Sequence, residues 1–134
     1  MRELIRIAAF PDTAGVYTVY RPGQERPLYV GVAATQTIAE RWLKQHLYPR
    51  AGGSAFRRSL GLHLGLVAAK LRRRDGRYYP PEVEQEITRF LESCEVEFFP
   101  ATTADEADDL EVELREQLRP ELNISSGRRR RLQA

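Results

Sequence analysis

The chain has 134 residues, 42% of them hydrophobic and 30% charged, with a formal net charge of +2. That composition suits one globular domain able to bury a core without staples, and the lone Cys94 excludes an internal disulfide. The amino terminus is interrupted by Arg6 and Pro11, and no stretch reaches membrane-spanning length, so neither a signal peptide nor a membrane helix is expected and the cytoplasm is the expected compartment. The small net charge hides an asymmetry. Residues 1–78 hold 14 Lys and Arg against 5 Asp and Glu, residues 79–123 hold 3 against 14, and the last eleven residues add Arg128 to Arg131. A basic half carrying aromatics suits a phosphate backbone, unless the fold mixes the two signs again at the surface.

Two β-like runs come first, Gly15–Tyr20 and Pro27–Val32, joined by the turn-rich RPGQER, and they read as an antiparallel hairpin. From about Thr37 to Tyr48 the pattern is helical, with Ile38, Ala39, Trp42, Leu43 and Leu47 on one broad face, until Pro49 and the AGGS segment end it. Ser54 can cap a second helix running to about Arg74, and a third follows Pro80-Pro81 from Glu82 to about Leu91. Cys94 to Phe99 alternates Val96 and Phe98 against Glu95 and Glu97, as a strand with one wet face does. Thr103 can cap a last helix that Pro120 ends. The order β-β-α-α-α-β-α predicts an α/β (α+β) sandwich, a small three-stranded antiparallel or mixed sheet flanked by helices. Residues 1–126 are expected to form this single domain and 127–134 a basic, flexible tail.

One residue is out of place. In the last helix Ala107, Leu110, Leu114 and Leu118 mark the apolar stripe, and Glu111 falls inside it, within about 60° of Leu114. Asp108, Asp109, Glu113 and Glu116 are expected to point to solvent. A desolvated carboxylate is costly unless paired or bound to a metal, so Glu111 needs a partner.

Gly15-Val16-Tyr17, followed by Leu28-Tyr29-Val30-Gly31, resembles the paired signature of the GIY-YIG nuclease superfamily. The helix segment Ile38-Ala-Glu-Arg41-Trp42 resembles the family's arginine-bearing helix, and Gly53-Ser-Ala-Phe-Arg-Arg-Ser-Leu-Gly61 a segment of one bacterial branch. Leu110-Glu111, then Pro120 and Asn123, resembles its closing pattern, so the likeness spans Gly15 to Asn123. It implies a metal-dependent endonuclease acting on DNA phosphodiesters, selective for structure or for single strands. Glu111 would be the metal ligand, for Mg²⁺ or Mn²⁺ in its place. Tyr17 would help activate the attacking water, which requires a nearby cation to favour its phenolate, and Tyr29 would position water or phosphate. Arg41 offers a permanently charged donor fork to the phosphate, Gly31 lets backbone approach the site, and Asn123 ties the chain end to it.

Each residue also has a structural reading. Tyr17 and Tyr29 suit cross-strand packing, Arg41 could cover the core edge, and Glu111 could be ion-paired, with Arg41 among the candidates. Some family members carry a histidine four residues after the arginine. Here Gln45 holds that place, and His46, one further, is turned roughly 140° from Arg41 on a regular α-helix. His46, Arg57, Arg58, Arg72, Arg73, Arg128 and Arg129 are candidates for DNA contact, Arg57 and Arg58 equally for a solvated helix face. A nucleic-acid-binding adaptor without turnover, an RNA-directed nuclease, and a protein partner supplying specificity remain open alternatives.

Overall fold

The computed structural model describes residues 1–72, 77–122 and 124. Its centre is β2 (Gly15–Tyr20), which pairs antiparallel with β3 (Tyr29–Ala33) on one side and β4 (Glu95–Pro100) on the other. Every residue of β2 and β3 is buried, as valines and tyrosines are when both faces of a strand are covered. The period of two then splits the strands between two cores. Tyr17, Val19 and Tyr29 face Trp42, Phe56, Leu60, Ile87 and Leu91, whereas Val16, Val30 and Val32 meet Ala107, Leu110 and Leu114. The last helix, α4 (Ala104–Leu118), therefore covers one face, and α1 (Ile38–Arg41), α2 (Ala55–His63) and α3 (Pro81–Ser93) the other. This is the expected α+β sandwich. The sheet has four strands rather than three, because β1 (Glu3–Leu4) adds to β4 in the order β1-β4-β2-β3. A two-residue strand carries no readable alternation, which is why the sequence pattern misses it.

The caps follow the sequence closely. Thr37 forms a capping box with Glu40, Ser54 accepts from the Arg57 N–H, and Thr103 accepts from the Glu106 N–H. Two helices depart from expectation. The first is α-helical only from Ile38 to Arg41 and continues as a π turn over Trp42–His46, with the Leu47 N–H reaching back to the Trp42 carbonyl. The second stops at His63 instead of near Arg74. Gly65 takes φ +73, and the N–H groups of Leu66 and Val67 turn back to the Gly61 carbonyl, a left-handed helix stop that glycine accepts without strain.

A buried ion pair fastens the helical layer. Arg57 is wholly buried, and its five donors are all used. Nε and Nη2 donate to Glu84 Oε1 at 3.2 and 2.8 Å, and Nη2 also to the Glu84 carbonyl at 2.8 Å. Nη1 donates to the His46 carbonyl at 3.0 Å and to Thr88 Oγ1 at 2.9 Å. Glu84 Oε2 accepts the N–H groups of Ala51 and Tyr79. The expectation that Arg57 meets DNA is overturned, since a guanidinium sealed between α2 and α3 cannot reach substrate.

Removing one partner of such a pair leaves a buried charge uncompensated. Glu84→Ala should lower the unfolding free energy by about 3–5 kcal/mol, read as a fall in urea midpoint at unchanged slope. A loss below about 1 kcal/mol would place this bridge with the dispensable surface pairs.

Candidate active site

The open ends of β2 and β3, the π turn and the start of α2 converge on a polar cavity of about 240 Å³. Tyr29, Arg41, Gln45, His46, Ser54 and Arg58 are among its lining residues. Tyr17 lies behind this wall, fully buried. It stands opposite Gly31 in the ladder, and its ring occupies the space a side chain there would need: a Cβ on Gly31 would come within 2.5 Å of the ring and 2.6 Å of the hydroxyl. The glycine thus makes room for the tyrosine as well as for close backbone. Tyr29 stacks on Phe56 with ring centroids 4.1 Å apart, which fixes its direction.

His46 belongs to this group, contrary to the α-helical estimate that turned it away. A π hydrogen bond spans five residues instead of four, so the turn absorbs one extra residue and brings His46 to where the fourth residue after Arg41 would stand in a regular helix. His46 is 2% exposed, so it lies within the wall of the cavity and is not presented as a surface contact to DNA. Its Nε2 lies 2.6 Å from the Tyr17 hydroxyl and its Nδ1 2.9 Å from Ser54 Oγ. Burial, then the charges of Arg41 and Arg57, hold its pKa well below the ordinary value of 6.5.

The tyrosines are strongly perturbed. Burial raises the pKa of Tyr17, Tyr29 and Glu111 add to the rise, and Arg41 opposes it. Tyr29 is raised by burial and Glu111, with Arg41 and Arg115 opposing. Neither stands as a phenolate at neutral pH, so the cation expected to favour ionisation of Tyr17 is present as Arg41 and is outweighed by desolvation.

Glu111 is buried as the helical wheel requires, and Arg115, one turn later, donates to its Oε2 at 3.2 Å. Nothing in the sequence singles out Arg115 beyond its i,i+4 spacing. Asp108 was expected in solvent and is buried too, because its i,i+3 relation to Glu111 puts both on one face. Of the remaining candidates, Arg58 lines the cavity and Arg72 is exposed. Asn123, Arg73, Arg128 and Arg129 lie outside the described residues.

Two tyrosines on paired strands and a helix arginine beside them stand within the field of a buried glutamate carried by α4. A family model, the GIY-YIG catalytic domain, matches residues 13–132, and the chain belongs to that family. No curated protein and no solved structure with which it was compared is significantly similar. Family membership makes nucleic acid the general class of substrate. No helix among the described residues is long and apolar enough to cross a membrane.

Two outcomes follow from this geometry. The folded protein holds His46 neutral, while the unfolded chain binds a proton below pH 6.5. Stability is therefore complete above 6.5 and declines as pH falls toward the lowered native value. Melting temperature should drop between pH 6.5 and about 5, and His46→Gln should flatten that slope. An unchanged slope in the variant would mean that His46 titrates normally in the fold. Gly31→Ala should destabilise by about 1–3 kcal/mol through overpacking against Tyr17, measured by thermal unfolding. Wild-type melting would show that the ring yields freely.

Proposed function

We propose that the protein is a divalent-metal-dependent endonuclease that hydrolyses DNA phosphodiester bonds, selective for single-stranded, flapped or branched structure. The observation that carries this reading is the 2.6 Å contact between the Tyr17 hydroxyl and His46 Nε2, set between Arg41 and the field of Glu111. Any buried tyrosine hydroxyl needs a partner; here the partner is a group that can take up the proton, and both stand beside a cation.

The donor set fits a hard cation. Glu111 offers carboxylate oxygen, and among the described residues no group of three or more His, Cys, Asp or Glu gathers to hold a metal alone. Mg²⁺, or Mn²⁺ in its place, would be held by Glu111 with waters and substrate oxygens completing its shell. Once bound it supplies positive charge to the phosphate and the leaving oxygen.

The remaining steps belong to side chains. Arg41 keeps a buried Nε that makes no hydrogen bond among the described residues, a donor ready for a phosphate oxygen as negative charge builds. Tyr29 meets the cavity and orients the phosphate and the water. Tyr17 is fully buried, so Tyr29 must shift to admit the water, which gives its proton to the phenol oxygen while the phenol passes its own proton to His46 Nε2. Hydroxide then attacks phosphorus and the leaving oxygen departs. Such a relay spares the site a free phenolate, which burial disfavours. Bound phosphate also offsets Arg41, one of the charges that keep His46 from accepting a proton. Arg50 and Arg58 lie against the Gly52-Gly53 loop of the cavity wall and suit a polyanion backbone.

The test is incubation with single-stranded, duplex, flapped and branched DNA, and with RNA, with and without Mg²⁺. Cleavage of DNA only with metal is expected, falling by about 10²–10⁴-fold in Tyr17→Phe and to background in Glu111→Gln. Undiminished cleavage by Glu111→Gln, or in excess chelator, would sink the metal assignment. Cleavage of RNA alone would redirect the substrate.

A further inference from the structure

We infer that Ser54 is a positioning residue that fixes the tautomer of His46, so that the phenol, the imidazole and the serine form one directed proton path. The inference rests on the nuclease reading for its consequence and on proton accounting for its direction. A serine hydroxyl has one hydrogen and two lone pairs. Ser54 Oγ accepts the Arg57 N–H at 3.1 Å as the cap of α2 and lies 2.9 Å from His46 Nδ1. Those two contacts alone allow the bond to Nδ1 to run either way.

Tyr17 decides the direction. Its hydroxyl proton needs an acceptor, and Arg41 beside it carries only donors. The Tyr29 hydroxyl also lies near it, but His46 Nε2, at 2.6 Å, is the partner with hydrogen-bond geometry, and we take it as the acceptor. Nε2 must then be bare, and in a neutral ring the proton sits on Nδ1, which donates to Ser54 Oγ. The serine's own hydrogen is left for the cavity that Ser54 lines. The opposite tautomer would point an N–H at Tyr17 and take away the base.

The mount is rigid for reasons already visible in the core. Ser54 begins α2 while its N–H is held by the Ala51 carbonyl, and Arg57, three residues on, grips the His46 carbonyl at 3.0 Å. Both ends of the histidine are thus fixed from the first turn of a single helix. The single hydroxyl at this cap serves helix and imidazole together.

The experiment separates tautomer from turnover. Imidazole ¹⁵N NMR on His63→Gln, which leaves His46 as the sole histidine, should show Nδ1 protonated and Nε2 bare. Ser54→Gly removes the hydroxyl but keeps a residue tolerated at an N-cap, so the fold should survive. It should shift population toward the Nε2-protonated form and lower kcat by about 10–100-fold, with KM changed less than about twofold. Ser54→Thr, which restores a hydroxyl, should recover both. Finding Nε2 protonated in the His63→Gln protein, or an unchanged tautomer and kcat in Ser54→Gly, would overturn the proposal. If the tautomer shifts as described but the parent protein cleaves no nucleic acid, the nuclease reading fails and the role of Ser54 in holding His46 stands.

Discussion

The guanidinium of Arg57 is the constraint on which the cavity side of the molecule depends. It is sealed from solvent, and its five donors reach α3 through Glu84 and Thr88 and the π turn through the His46 carbonyl. Glu84 in turn holds the Ala51 and Tyr79 amides, so one ion pair secures two loops, two helices and the backbone of a site residue. A hydrophobic pair of equal volume could give as much stability or more. It could not set the direction of the His46 backbone, and this argues that the charge is retained for geometry.

The same burial that gives geometry makes the chemistry difficult. Tyr17 and Tyr29 lose solvent, and with it any easy route to phenolate, while His46 loses its readiness to become imidazolium. Each group alone is a poor acid–base catalyst near neutrality. In contact they need not hold charge for long, because a proton entering at the phenol leaves toward the imidazole. Placing the phosphate near Arg41 removes part of the field that opposes this transfer. Under the proposed mechanism the phenols and the imidazole rest neutral in the free protein and exchange a proton once a bound anion offsets Arg41.

What the sequence could reveal divides along the range of each signal. Tyr17, Tyr29 and Arg41 are picked out only by their resemblance to the family signature, since strand and helix patterns alone suit packing equally well, whereas Glu111 is legible from helical period as a charge on an apolar stripe. His46 is illegible for the opposite reason: one π turn changes the angle per residue, and a wheel drawn for an α-helix rotates it out of the site. Arg57 reads as a surface arginine because its partner Glu84 is 27 residues away. Long-range pairing leaves no local pattern. Gly65 explains the early stop of α2, yet a glycine within a helical pattern is ambiguous until its φ is seen.

The charge asymmetry of the sequence survives folding in a useful form. The outer face of α4 exposes Asp105, Glu106, Asp109, Glu113 and Glu116. This helix packs on the sheet face opposite the cavity, where Arg41, Arg50 and Arg58 gather around the Gly52-Gly53 loop. The acids of α4 repel a polyanion from that face, while on the cavity side Glu82, Glu86 and Glu92 of α3 are also exposed, so the attraction is confined to the arginines around the loop. Glu111, with Asp108, is turned inward from α4, and its field reaches both tyrosines. The helix thus divides its acids between an exposed face and a buried one that acts on the tyrosines.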